Sequence, residues 1–233
     1  MQNLQEKAKK PSLRFEGFTD AWEQRKLEEV FDFSIPNNTL SRAELNYESG
    51  EVKSVHYGDV LIKYGSVLDV QEDEIPFISE KKATDFSGQW LQEGDIIIAD
   101  TAEDETTGKA TEIRHLDSTP VVSGLHTIVC RPLEQMAPYY LGYYLNSNSY
   151  HNQLLPLMQG IKVLSLSRAN LIKTEIMYPK SREEQQHIGA FFRSLDALIT
   201  LHQRECKYKK TGGQKCQVKS KKQTSFATIM LSG

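Results

Sequence analysis

The spacing of hydrophobic positions changes several times along this chain, and each change predicts a different element. Residues 1–10 are polar and read as a flexible lead. From Pro11 to Trp22 large apolar side chains alternate with turn formers, so Phe15, Phe18 and Trp22 are expected to anchor the segment on a core. Asp20 is placed to cap a short helix running through Trp22, Leu27, Val30 and Phe31. Between Ser49 and Arg131 the pattern is mostly strand-like. Val52 to Ile62 alternates around Tyr57 and Asp59, Asp95 to Ala99 is a short apolar run, and Val121 to Val129 is another with Gly124 inside it. Polar loops such as Ala102 to Lys109 separate these runs.

Helical spacing returns after Pro138, where Tyr140, Leu141, Tyr144 and Leu145 share a face. A polar turn at Gln159 leads into an alternating stretch to Ser167, and Leu171 to Tyr178 reads as a last strand stopped by Pro179. Ser181 and Glu184 then have the spacing of a capping box. Ile188, Phe192, Leu195, Ile199 and His202 follow at spacings of 4, 3, 4 and 3, flanked by Phe191, Leu198 and Leu201. That heptad stripe requires a partner: another part of this chain, a second copy, or another protein. After Arg204 the spacing lapses, and Gly212 and Gly213 interrupt a lysine-rich run. The predicted fold is α+β: a β-rich body over 11–180, a helix of coiled-coil type over 181–204, and a basic tail over 205–233 expected to be disordered.

Charge complicates this division. The 28 basic and 31 acidic residues give a net charge of −3. Arg204 onward contributes 8 basic residues and 1 acidic, so residues 1–203 carry 20 against 30, or −10. Any polyanion must therefore be met by a locally basic face. No stretch reaches the roughly 20 apolar residues of a membrane helix, and the polar N-terminus has no signal-like apolar region. The three cysteines lack a Cys-x-x-Cys spacing, which favours a reducing cytoplasm.

No motif for catalysis, metal or cofactor survives inspection. Thr107, Gly108 and Lys109 resemble part of a phosphate loop, but Glu103 stands where glycine is needed and Ala110 where Ser or Thr is needed. No Gly-x-Gly fingerprint occurs, and Ala137 to Tyr140 lacks the polar residue of an amino-methyltransferase motif. Asp32, Glu51 and Lys53 can be arranged as a metal-dependent nuclease only through a very permissive spacing. Glu184 with His187 is half of a di-iron motif without its second half. Glu103, Asp104 and Glu105 lack the pattern of a calcium loop, and no Gly-x-Ser-x-Gly turn is present.

Both ends of the body do resemble a known family. Pro11-Ser-Leu-Arg-Phe-Glu-Gly-Phe-Thr-Asp-Ala-Trp-Glu23, followed by Leu27, is similar to the opening of a recognition unit in type I restriction-modification specificity subunits. Gly160 to Leu166, Leu171 to Pro179, and then Glu184, Gln185, Ile188, Leu195, Asp196 and Ile199 resemble the close of such a unit. The resemblance spans about 11–204 and implies a DNA target recognition domain followed by a spacer helix. It implies a non-catalytic protein that reads double-stranded DNA for methyltransferase subunits and, through the complex, a restriction subunit.

A full-length subunit carries two such units, so one unit would be completed by a second copy pairing through Ile188, Phe192, Leu195 and Ile199. The family's spacer continues in leucine heptads where Glu205 to Gly213 departs, from which we expect a spacer shortened by rearrangement of the coding sequence. DNA contacts are expected from basic and amide groups of polar loops: Lys63 with Tyr64, Lys81, Lys82, Lys109, Arg114, Gln159, Lys162 and Arg168. Two rival readings are a half unit that serves only as an interaction module on the methyltransferase, and the nuclease built on Asp32, Glu51 and Lys53.

Overall fold

A computed structural model describes Pro11 and residues 13–211, with side chains through Gln203. In chain order the elements are β1 (Glu23–Lys26), β2 (Phe31–Asp32), β3 (Leu45–Asn46), β4 (Lys53–Val55), α1 (Tyr57–Ile62), β5 (Val67–Asp69), β6 (Phe77–Ile78), β7 (Ile96–Ala99), β8 (Thr101–Ala102), β9 (Ala110–Arg114), β10 (Val121–Ser123) and β11 (Thr127–Pro132). They continue with α2 (Tyr140–Leu145), α3 (Asn148–His151), β12 (Leu164–Ser165), α4 (Arg168–Leu171), β13 (Glu175–Tyr178) and α5 (Arg182–Thr211).

A five-stranded sheet in the order β2-β11-β7-β9-β5 divides the body. Alternation along its central strands sends neighbouring residues to different cores. Ile96, Ile98, Ile128 and Cys130 face a core shared with α2, β13 and α5. Ile97, Ala99 and Val129 face a second core shared with α1 and Tyr64. All four residues of β7 are therefore buried, which explains an apolar run rather than an alternating one. A four-stranded sheet, β10-β4-β6-β3, caps the second core, and two-stranded ladders β1-β13 and β8-β12 close the edges. The fold is mixed α+β and rich in strand.

Several local expectations fail for identifiable reasons. Asp20 to Phe31 is not helical: Glu23 to Lys26 pairs antiparallel with Glu175 to Tyr178, and a single 3-10 turn over Leu27–Glu29 follows. Val52 to Ile62 divides at His56, whose Nδ1 accepts the Gly58 amide at 3.2 Å and starts α1. Val121 to Val129 is two strands in two sheets, broken at Gly124, where an added Cβ would lie 2.8 Å from the Val55 carbonyl. The stretch Leu171 to Tyr178 begins as the end of α4 and becomes strand only at Glu175.

The two ends of the body meet at the start of α5. Glu184, 1% exposed, accepts two hydrogen bonds from the Arg14 guanidinium (2.8 and 2.6 Å) and one from Trp22 Nε1 (3.2 Å). Ser181 Oγ accepts the Glu184 amide at 3.3 Å, but the carboxylate that would complete a capping box is given to Arg14 instead. His187 lies edge-on to the rings of Phe15 and Phe18, with centroids 5.7 and 5.5 Å away. Gln185, also buried, accepts the Ala137 amide at 2.9 Å and donates to the Pro179 carbonyl at 2.9 Å. Gly189 completes the join, because a Cβ there would sit 2.5 Å from the Pro138 carbonyl.

The helix passes the expected end at Arg204 and runs to Thr211. Helicity does not require apolar spacing: Glu205, Lys207, Lys209 and Lys210 are good helix formers, and the glycines at 212 and 213 come only afterwards. The expected lead, 1–10, and the tail from 212 onward lie outside the described residues. No helix among the described residues is long and apolar enough to cross a membrane.

Candidate nucleic-acid interface

Three of the side chains expected to meet DNA point inward. Tyr64 is 2% exposed, packs in the second core and donates from its hydroxyl to the Glu74 carbonyl at 3.3 Å; burial pushes its pKa up. Lys109 is directed at the C-terminal end of α1, where Nζ donates to the carbonyls of Leu61 (3.0 Å) and Tyr64 (2.8 Å). A cation there satisfies orphan carbonyls and complements the helix dipole, while burial pulls its pKa down. Arg114 lies beside Glu93 (3.1 Å) and Glu112 (3.8 Å), with its guanidinium 5.4 Å from the Tyr139 ring centre. All three bind the body to itself. A lysine or arginine in a polar loop carries no sequence sign of which way it turns.

The remaining expected residues lie at two exposed places on the surface. Lys63, exposed, pairs with Glu74 at 2.7 Å and stands 4.7 Å over the ring of Tyr47. Arg42 lies 5.5 Å from the same ring centre and pairs with Asp59. Neither Arg42 nor Tyr47 was singled out from the sequence, although an aromatic between Asn46 and Glu48 was a visible signal. Nearby, Lys81 and Lys82 are exposed in the turn before a 3-10 segment over Ala83–Phe86. Glu44 is held below its ordinary pKa, first by hydrogen bonds from Ser41 and to a lesser degree by Lys81.

The second place is a protruding finger. Gln159 and Ser165 exchange both backbone hydrogen bonds, at 2.9 and 2.8 Å, closing a loop whose tip is Gly160 to Val163. Gly160 has φ +126°, and a Cβ on it would lie 1.9 Å from the Val163 carbonyl, so only glycine fits this turn. The finger is mounted on the body through β12, which pairs with β8 at Thr101 and Ala102. Gln159, Lys162 and Arg168 are exposed along it. At its tip Ile161 is 99% exposed and Val163 52% exposed. Beside its base lie Asp100, Thr101 and His126; His126 Nδ1 is 3.3 Å from Asp100, and Leu166 donates to the Asp100 carbonyl at 2.7 Å. The acidic loop Glu103 to Glu105 adjoins the same strand.

Free positive charge separates these groups. Lys63, Arg42 and Arg114 already have carboxylate partners. Lys81, Lys82, Lys162 and Arg168 are exposed and form no ion pair among the described residues. A phosphate contact from the second group displaces no internal carboxylate.

The four residues expected to pair helices divide in the same manner. Ile188 and Phe192 are buried against this chain's own body, with Phe192 5.4 Å from the Tyr143 ring. They are not available to a partner. Leu195 and Ile199 are half-buried, and the apolar residues turned outward are Leu198 (61% exposed) and Leu201 (56%). The carboxylates and lysine of the nuclease alternative are each committed elsewhere: Asp32 to Ser34, Glu51 to the Ala83 amide, and Lys53 to Asp117.

These features define a class: an α+β body fixed to a long helix by a buried clasp, with its free cations on the exposed surface. The family model for the type I restriction modification DNA specificity domain matches residues 19–207, and the chain belongs to that family. A search of curated proteins finds no match. Among solved structures, an S subunit of a type I restriction-modification system from M. genitalium is 14% identical with a TM-score of 0.51, covering 80% of this chain and 42% of that one. The HsdS subunit from Thermoanaerobacter tengcongensis is 17% identical with a TM-score of 0.50, covering 88% and 45%. A chain from a structure on complex assembly and conformational transition of the type I R-M system is 17% identical with a TM-score of 0.55, covering 91% and 48%. This chain spans less than half the length of each of these proteins, and at such identity the likeness is one of fold.

Proposed function

We propose that this chain is a non-catalytic, sequence-specific DNA-recognition half unit of a cytoplasmic type I restriction-modification complex. Residues 11–180 are the reader and the helix beginning after Ser181 is the spacer. The observation that carries this reading is the family match, which runs through both the body and the helix. The chain's own task is positional. Exposed cations Lys81, Lys82, Lys162 and Arg168 fix register on phosphates, and Gln159 and Lys63 are exposed with them. Base edges are read by a few side chains, each good bidentate pair being worth about 1–3 kcal/mol of discrimination. Methylation belongs to the methyltransferase subunits and cleavage to the restriction subunit, which joins through the complex.

The outward face of α5 from Leu195 to Leu201 is where a second copy or the methyltransferase would pack. Methylome sequencing of a host carrying this chain with its methyltransferase should reveal adenine methylation at one motif that disappears when the chain is deleted. A methylome unchanged by the deletion would refute the reading. The acidic body favours one rival, a half unit that only docks on the methyltransferase. Failure of the assembled pair to protect any DNA sequence would select that rival.

A further inference from the structure

We propose that the finger Gln159 to Ser165 enters the major groove of the recognised duplex, and that Ile161 is a specificity residue reading the C5-methyl group of a thymine. The inference rests on the DNA-recognition reading above and adds to it an apolar contact at one named position. Three observations carry it.

First, the tip is apolar and almost wholly in water: Ile161 is 99% exposed and Val163, two residues on in the same turn, 52%, whereas Ile62 (87%) and Leu133 (60%) stand exposed at other places. An isoleucine exposed to that degree buries no apolar surface against the described residues, so it contributes little to the fold. Second, the finger is held in shape before any contact. The paired backbone bonds between Gln159 and Ser165, the positive φ of Gly160 and the β8-β12 ladder fix where Ile161 points. A narrow ribbon of this kind suits the major groove, which admits two strands.

Third, the surroundings select the partner. A protein interface has an apolar core several residues wide, whereas these two side chains are ringed by Gln159, Lys162, Ser165, Ser167 and Arg168, all exposed. A small apolar point between polar and cationic neighbours matches a groove, where phosphates form the walls and the thymine methyl is the apolar feature of the floor. The acidic loop Glu103 to Glu105 beside the finger's base opposes a track along the phosphates at that place. Contact by the apolar side chains of the tip is thereby directed to bases, while Lys162 beside them meets the phosphate walls.

The test uses the full chain assembled with its methyltransferase. A random duplex library is selected on this complex, and each thymine of the enriched sequence is replaced in turn by deoxyuridine, which removes only the methyl group. At one or two positions the replacement should weaken wild-type binding about threefold to fivefold, the worth of one buried methyl. Ile161→Ala should bind the enriched duplex about tenfold more weakly, be indifferent to uracil at those positions, and bind unselected duplex within about twofold of wild type. Because the side chain lies in solvent, folding is not at risk in this variant. An Ile161→Ala complex with wild-type affinity and a wild-type uracil profile overturns the inference and leaves the recognition reading standing. Weakened retention of the methyltransferase without DNA also overturns it, because the tip would then be a protein contact. If the wild-type complex enriches no sequence, the recognition reading has failed and the finger's role falls with it.

Discussion

Glu184 and Ile161 each stand where burial rules would place the other: the carboxylate is 1% exposed and the isoleucine 99%. Around Glu184 every nearby donor is spent, with Arg14, Trp22 and the Glu184 amide all satisfied. Around Ile161 the backbone is pinned at its two flanks by the Gln159–Ser165 pair, but the side chain is buried against none of the described residues. Within one chain, a buried charge fixes a position and an exposed apolar side chain waits for a surface. The clasp must be expensive to disturb, while the finger must be free to alter.

Four measurements would break or sharpen that contrast. The largest effect is expected for Glu184→Ala, which leaves the Arg14 guanidinium and the Trp22 N–H without their acceptor. Breaking such a pair costs about 3–5 kcal/mol, to be read by urea denaturation. A loss under about 1 kcal/mol, the range of an exposed pair, would mean that the clasp does not hold the helix.

Glu112 gives a pH-dependent effect. Its carboxyl accepts amides from Tyr139 (2.7 Å) and Gly142 (3.0 Å) at the start of α2, yet burial outweighs these bonds and pushes its pKa up to about 7. A carboxyl raised above its unfolded value of 4.5 contributes stability that is complete below that pH and lost as pH climbs through about 7. Glu112→Gln should therefore gain on wild type between pH 5 and 7.5, by on the order of 3 kcal/mol. Parallel stability curves for the two proteins would refute this.

Gly189→Ala comes next, since its Cβ would meet the Pro138 carbonyl at 2.5 Å and the Tyr140 amide nitrogen at 3.0 Å. Overpacking of about 1–3 kcal/mol, less the roughly 1 kcal/mol that alanine gains in a helix, leaves a net loss of up to about 2 kcal/mol in thermal unfolding. An unchanged midpoint would show that the helix can back away from the body. Lys162→Ala should be the mildest, altering stability by less than about 0.5 kcal/mol. It should lower the salt dependence of DNA binding by about one counterion; an unaltered slope would remove Lys162 from the phosphate contacts.

How much of this was legible in the sequence follows from how local each signal is. The run Ile96 to Ala99 and the helix after Pro179 carry their own periodicity, and both were visible. Glu23 to Lys26 has no strand character of its own and becomes a strand through Glu175 to Tyr178, some 150 residues away. The spacing of Ser181 and Glu184 announced the start of α5 correctly, but not that Arg14 would take the carboxylate. At the candidate site, Gly160 signalled a turn that only glycine could make, and the neighbouring Lys162 is exposed. Tyr64 and Lys109 turn inward because the groups that claim them, Glu74, Leu61 and the end of α1, are brought to them by tertiary packing, which no local spacing announces. The same limit hid Tyr47, whose two cationic neighbours converge from separate elements.

The contact at Gly189 makes the whole arm sensitive to angle. Backbone rests there on backbone, so no rotamer can absorb a small error. From Gly189 to Thr211 the helix continues for 22 residues, about 33 Å at 1.5 Å per residue. A tilt of only about 6° at that fulcrum swings its far end by roughly 3.4 Å, the rise of one base pair. A missing side chain at one notch thus sets the precision of distance for anything carried at the arm's far end.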